Sequence, residues 1–280
     1  MESIDLREIL SHSVFKALNI STRWEEIKYF HLDQKGAPDK HHSFENQEAL
    51  EIAKKQNFDN IVIFRSGSPY GFAKTDNIAQ DLSIEDSKIR KISDYKIVYD
   101  ASYLKALDHI VKGDKPADHA LYFIYKDAQR PEGIITYADF NKKSVYIYCY
   151  ALLSSVELWA KRAIVNYYVD TEQWLALLEP RDRKRIMKHS QKSEEKPIDC
   201  AGFPDIYKII TNSPNLCSSS INEGLTCPIL TSLLRIRDRI AHPVKLLLYR
   251  SNYSTLSKDL LNVLRLSELE PILSGNEKNR

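Results

Sequence analysis

Apolar residues along the first half of the chain switch between helical and strand spacing, and the switch happens twice. Ile4, Leu6, Ile9, Leu10, Val14, Phe15 and Leu18 recur near helical spacing, which predicts an amphipathic helix over residues 1–20. Helical spacing returns over Asn46–Lys55, followed by a strand at Asn60–Phe64, a turn at Ser66–Pro69 and a second strand at Tyr70–Lys74. A second set opens with a strand at Lys96–Tyr99. It continues with a helix over Tyr103–Val111, a strand at Leu121–Tyr125, a turn around Lys126–Gln129 and a strand at Gly133–Thr136. Helix, strand, turn and Gly-led strand follow in the same order each time. The leading glycines, Gly71 and Gly133, lie 133 − 71 = 62 positions apart, so the pattern predicts an internal duplication.

Beyond Asp139 the strand pattern stops. Lys143–Val169 reads as one long helix, with Ile147, Leu152, Leu153, Val156, Leu158, Ala160, Ile164 and Val165 available for burial. Thr171–Leu178 is again helical and runs into a basic stretch. Residues 197–224 are rich in loop signals around a short helix near Asp205–Ile210. Two helices close the chain, about Cys227–Leu248 and Ser254–Leu269, the second stopped by Pro271. The fold class expected is α+β, a tandem β-α-β-β-α module followed by an all-helical bundle. The expected divisions are an N-terminal helix over 1–22, a paired module over 23–142 (copies 23–90 and 91–142), a helical domain over 143–270 and a disordered tail over 271–280.

Composition narrows the class of protein. The 280 residues are 43% hydrophobic and 28% charged with a net charge of +2, as suits a folded protein with a real core. The most apolar run, Val145–Ala160, contains Ser154, Ser155 and Glu157 and is too short and polar for a membrane span. Met1–Asp5 is acidic and has no leader pattern, so a cytoplasmic location is expected. Cys149, Cys200, Cys217 and Cys227 form no CxxC pair and have no histidine at finger spacing, so no metal site is expected.

Groups able to do chemistry concentrate in Leu233–Pro243. On an ideal wheel Leu230, Leu233, Leu234, Ala241, Val244 and Leu248 share one arc, with Arg237 in its middle. A guanidinium there is costly unless a carboxylate, a phosphate or a partner chain meets it. Glu157 is the natural counter-ion, and a plain buried Arg–Glu pair is the structural alternative. His242 lies on another face, with Asp238 one turn before it and Arg235 two turns before it. Asp238 is placed to fix the imidazole tautomer, and Pro243 to kink the helix at His242. Arg237 and His242 point about 140° apart, so a compact site would need two chains. A basic cluster, Arg181, Arg183, Lys184, Arg185, Lys188, His189 and Lys192, is either a phosphate track or a solvated helix face. Tyr167, Tyr168 and Trp174 beside it could stack bases or sit in the core.

Two family resemblances rest on these residues. Residues 23–145 resemble a tandem pair of CBS domains, most specifically through Gly133-Ile134-Ile135-Thr136-Tyr137-Ala138-Asp139. The resemblance implies an adenine nucleotide as regulatory ligand, held by Thr136 and Asp139 after Gly133. The first copy has Lys74 and Asn77 at the corresponding places, which implies one intact and one degenerate site. The alternative is a dimerisation scaffold in which Asp139 only caps the next helix.

Residues 143–270 resemble HEPN domains through Arg237-Asp238-Arg239-Ile240-Ala241-His242, an arginine and a histidine with four intervening residues. Arg235 would match with six, but Ile236 then takes the polar place. That resemblance implies metal-independent RNA cleavage by a homodimer with a composite site. His242 would be the general acid or base, Arg237 the transition-state cation, and Asp238, Glu157 and Arg235 the supporting groups. Arg181, Arg183, Lys184, Arg185 and Lys188 would hold RNA. A protein of this kind suits a defence or stress effector, a toxin silenced by an antitoxin or another regulatory partner. The alternative is a nucleotide-responsive regulator that dimerises or binds RNA or a partner without cutting.

Overall fold

The computed structural model describes residues 21–23, 26–56, 58–98, 101, 103–112, 121–125, 131–216, 227–242, 246–248 and 253–265. The expected N-terminal helix, the turn at Lys126–Gln129 and the C-terminal tail lie outside them. Two compact units divide the chain: His12–Val145 with Leu248–Ser254, and Tyr146–Leu247 with Met1–Ser11 and Thr255–Arg280. The fold is mixed α+β, with every described strand in the first unit.

That unit holds β1 (Thr22–Arg23), β2 (Tyr29–Leu32), α1 (Ser43–Lys55), β3 (Asn60–Arg65), β4 (Ser68–Lys74), β5 (Arg90–Lys91), β6 (Lys96–Val98), α2 (Tyr103–Lys112), β7 (Tyr122–Tyr125) and β8 (Pro131–Ile135). They form two four-stranded sheets, ordered β2-β3-β4-β5 and β1-β8-β7-β6. β2 runs parallel to β3 across α1, as β6 does to β7 across α2, and β3 and β7 pair antiparallel with β4 and β8. The duplication read from the sequence is therefore a repeat of topology.

The fourth strand of each sheet comes from the other copy. β1, which leads the first copy, pairs antiparallel with β8 of the second, while β5, which leads the second, pairs with β4 of the first. Arg23 faces Gly133 and Lys91 faces Gly71. A Cβ on Gly71 would overlap the Arg90 carbonyl oxygen, and one on Gly133 the Thr22 carbonyl oxygen. The recurring glycine is thus a matter of backbone approach, needed so that the exchanged strand can dock.

β3 is buried on both faces, as its near-continuous apolar sequence suggests. Ile61 and Ile63 join Phe30, Leu32, Ala49, Leu50 and Ala53 in a core between sheet and α1. Val62 and Phe64 turn the other way and meet Phe72, Leu121 and Phe123 in a core shared by both copies. β2 is an edge strand, and the fully buried Asn46 of α1 occupies its backbone. Its Oδ1 accepts from the His31 N–H at 2.6 Å, and its Nδ2 donates to the His31 carbonyl at 2.9 Å.

The second unit is helical: α3 (Lys143–Tyr167), α4 (Thr171–Leu175), α5 (Pro180–Ser193), α6 (Phe203–Thr211), α7 (Cys227–Ala241) and α8 (Tyr253–Leu264). α3 buries Cys149, Leu152, Leu153, Val156, Ala160 and Ile164 at helical spacing. Ile147, Leu158 and Val165, counted above among burial candidates, are exposed instead. The helix is wetted along one side. α7 ends at Ala241 instead of running to Leu248, in keeping with the bar that Pro243 sets on helical geometry at His242.

The glycine contacts give a ranking that unfolding experiments can check. Gly71→Ala and Gly133→Ala should each destabilise the protein by about 2–3 kcal/mol, because backbone must move to admit the methyl group. Gly67→Ala should cost only about 1 kcal/mol, since that glycine has open space and only its φ of 74° resists a side chain. Equal losses at all three positions would break the argument.

Candidate functional site

A cavity of about 560 Å³ lies in the strand-bearing unit, between elements of its two copies. The first copy contributes Ala49, Ile52 and Ala53 from α1, Gln56 just after it, and Asn60–Val62 from β3. The second contributes Leu121, Ile134 and the turn Thr136–Asp139 that follows β8. Thr22, Glu26, Ile27 and Lys28 close it from the exchanged strand and the segment after it. The floor is aliphatic and the rim carries charges of both signs, in the size range of small-molecule sites. Small side chains at 49 and 53 leave the room along one face of α1. Lys28 pairs with Glu48 at 3.5 Å on the surface.

Thr136 and Asp139 stand at the wall of this cavity, tied to each other. The Thr136 backbone N–H donates to Asp139 Oδ2 at 2.7 Å, and the Thr136 hydroxyl donates to the same oxygen at 3.1 Å. The arrangement is a capping box on the short 3₁₀ turn Tyr137–Asn141. Lys142 holds the other oxygen at 2.9 Å, and Asp139 is buried. The carboxylate expected to help hold a nucleotide therefore already has three partners in this structure. A ligand would have to displace Lys142 or use the remaining lone pairs. Gly133 is not a wall of the cavity; its role is to admit the Thr22 carbonyl. In the first copy Lys74 ends β4, and the buried Thr75 that follows donates its hydroxyl to the Phe58 carbonyl at 2.6 Å.

The Arg–His stretch of the helical unit differs from the wheel reading. α7 buries Leu230, Ser232, Leu233, Ile236 and Ile240. With the helix ending at Ala241, Val244 and Leu248 no longer extend that arc, and Arg237 falls about 70° from its middle. The Arg237 side chain is 36% exposed and its Nη1 donates to Asp238 at 3.3 Å. It is not the buried guanidinium expected. Glu157 is not its counter-ion either, being paired with Lys161 at 3.0 Å. Asp238 faces Arg237 and touches His242 only through its backbone carbonyl, which accepts the His242 N–H at 3.1 Å. His242 is exposed just past the helix end, and its ring has no hydrogen-bond or ion-pair partner among the described residues.

Arg235 is the braced arginine. Its Nε donates to Asp259 Oδ2 at 3.0 Å and its Nη2 to Asp259 Oδ1, and the Asp259 side chain is only 1% exposed. The hydrogen-bonded carboxylate pushes the guanidinium pKa up. Ser232 Oγ, within 3.5 Å of Arg235 Nη2, also accepts from Asn262 Nδ2 at 2.9 Å, so a polar bridge joins α7 to α8. Asp259 escaped the sequence reading because its partner lies 24 positions away on another helix; a lone aspartate inside the apolar Leu256–Leu264 stripe was its one signal.

The basic cluster divides. Arg185 clasps the buried Asp205 with two bonds of 2.6 Å, which raises its pKa. Arg183 donates to the Leu178 carbonyl at 2.9 Å. Arg181, Lys184, Lys188, His189 and Lys192 are exposed. Trp174 is buried and presents no face for stacking; the half-buried Tyr168 bonds its hydroxyl to Ser213 at 2.6 Å, and Tyr167 is exposed. No group of histidine, cysteine and carboxylate side chains among the described residues could hold a metal, and none of the described helices is long and apolar enough to cross a membrane. Burial drives the Cys149 thiol pKa far up, which keeps it protonated.

No protein-family model and no curated protein matches the chain. Two solved structures are similar over about half of it. One is the CBS domain of the bacterial CNNM/CorC family Mg²⁺ transporter in complex with ATP, at 13% identity and a TM-score of 0.36, covering 50% of this chain and 94% of that one. The other is a hemolysin-like protein containing a CBS domain from Oenococcus oeni PSU, at 12% identity and a TM-score of 0.34, covering 51% of this chain and 96% of that one.

The two arginines should separate in urea unfolding. Arg235→Ala leaves a buried carboxylate unpaired and should cost about 3 kcal/mol. Arg237→Ala removes a surface pair and should cost under about 1 kcal/mol. A larger loss at Arg237 would restore the buried-arginine reading.

Proposed function

We propose that this protein is a nucleotide-regulated RNA-cleaving enzyme, in which a CBS-like pair binds an adenine nucleotide and a HEPN-like helical unit cuts RNA. The observation that carries the regulatory half is the cavity, walled by both copies and flanked by Thr136 and Asp139 at the end of the Gly133 motif. Its aliphatic interior suits a base. The Thr136 hydroxyl, Lys28 and Lys142 supply groups that suit phosphate, and Asp139 suits a ribose. The expected behaviour is saturable binding of ATP, ADP or AMP by calorimetry, abolished in Asp139→Ala and weakened in Ile52→Trp, which narrows the cavity without touching the capping box. Absence of heat with all three nucleotides at millimolar concentration would refute the assignment.

The catalytic half rests on the Arg237–His242 spacing and on the chemistry it offers. RNA brings its own nucleophile, the 2′-hydroxyl. His242 moves a proton to or from the reacting oxygens, and Arg237 meets the charge that develops on phosphorus-bound oxygen. The products carry a 2′,3′-cyclic phosphate and a 5′-hydroxyl, and no metal takes part. Both side chains are accessible, and Arg237 has to release only an exposed neighbouring carboxylate to reach a phosphate. A homodimer completes the site by bringing two copies of the pair together. In EDTA, labelled single-stranded RNA should be cut by wild type and at least about 100-fold more slowly by His242→Ala and by Arg237→Ala. Cleavage that survives both substitutions would assign the activity elsewhere.

One observation favours a second reading. His242 has no described group to orient its ring, and Asp238 faces away from it. A chain that binds RNA or a partner in response to nucleotide, without cutting, needs no such orientation. Intact RNA under every nucleotide would favour that regulator.

A further inference from the structure

The basic stretch on α5 contains two populations of side chain, and the division has a direction. Arg183 and Arg185 are committed to the Leu178 carbonyl and to buried Asp205. Of the acidic groups nearby, Lys208 holds Asp182 at 2.7 Å, lowering the carboxyl pKa, and lies 3.9 Å from Glu179, while Glu194 and Glu195 follow the row with no salt bridge among the described residues. What remains is Arg181, Lys184, Lys188 and Lys192, at intervals of three, four and four. None forms a salt bridge among the described residues. On a helix these positions fall within an arc of about 80° and extend over about 16 Å. Ile186, the one buried residue of α5, anchors the helix from another side. The result is a straight file of four cations without a salt bridge among the described residues, while Lys208 and Arg185 hold Asp182 and Asp205.

We infer that this file is a docking track for the sugar–phosphate backbone of single-stranded RNA. Evenly spaced cations on a rigid helix match a polymer with a regular charge repeat better than they match a single anion. The four neighbours also repel one another, so anionic contacts along the row relieve a cost the free protein carries. Arg183 and Arg185 take no part in it. The inference deepens the RNA-cleaving reading by naming what grips the substrate, yet it concerns binding alone.

The test uses the full-length protein and a fluorescein-labelled 20-nucleotide 2′-O-methyl RNA, which has no free 2′-hydroxyl and stays intact whether or not the protein is a nuclease. Affinity is measured by anisotropy across a salt series. The triple variant Lys184→Ala/Lys188→Ala/Lys192→Ala should flatten the slope of log affinity against log salt by about 2, or about 0.7 for each lost phosphate contact. A matched triple, Lys54→Ala/Lys55→Ala/Lys91→Ala, removes the same charge from exposed positions of the other unit and should leave the slope within about 0.5. Unchanged melting of both triples establishes that they fold, and a Gln version of the first triple repeats the measurement. Equal slopes for wild type and the α5 triple would overturn the inference, as would equal flattening by the matched triple, which would mean diffuse charge only. Failure of wild type to bind RNA, or loss of binding to phosphatidylserine vesicles alone, would overturn it too. RNA that is bound through the row but never cut would leave the track standing and remove the nuclease.

Discussion

Two backbone oxygens, those of Thr22 and Arg90, lie so close to Gly133 and Gly71 that no side chain fits between them. The strand-bearing unit depends on that approach. Each copy supplies three strands and lends its leading strand to the other, so neither sheet is complete alone. Val62, Phe64, Phe72, Leu121 and Phe123 then fill one core that belongs to both copies. The cavity is a by-product of the same exchange. Thr22 and Ile27 reach its wall because β1 crosses to β8, and α1 meets the β8 turn there.

In the helical unit a comparable role falls to Arg235 and Asp259. A carboxylate almost wholly removed from water is tolerable only with its charge met, and the Arg235 fork meets it with both oxygens. The bridge through Ser232 and Asn262 sets how α7 is turned about its own axis. That setting directs Leu233, Ile236 and Ile240 inward and leaves Arg237 and His242 accessible. Similar bracing on α5 pairs Arg185 with Asp205, and the row of lysines on the same helix has no salt bridge among the described residues. In both helices an arginine that clasps a buried aspartate does the holding.

The duplication was legible because it is written in spacing: apolar runs of strand length, helices between them, and a glycine at the head of the last strand of each set. β1 and β5 were not, since two residues cannot show a period and their partners are remote in sequence. The cavity-facing pair Thr136 and Asp139 could be found from the motif. The small residues Ala49 and Ala53 that open the space could not, because alanine in a helix carries no signal of its own. The wheel reading of Arg237 failed for an identifiable reason. It counted Leu234 and Ala241, which are only half-buried, and passed over Ile236 and Ile240, which are buried, and so rotated the supposed apolar arc toward the arginine. Asp259 was missed because only tertiary contact gives it a partner.

Reciprocal lending of an edge strand also bears on how such a pair could arise. A chain with one copy would carry its leading strand unpaired and its last strand with an open, glycine-lined edge. Two such chains, each donating to the other, would satisfy both needs at once. The present arrangement has the form of that mutual clasp, with both halves in one chain. The two halves need not match in detail, since neither can part from its mate: one carries Thr136 and Asp139 where the other carries Lys74 and Asn77.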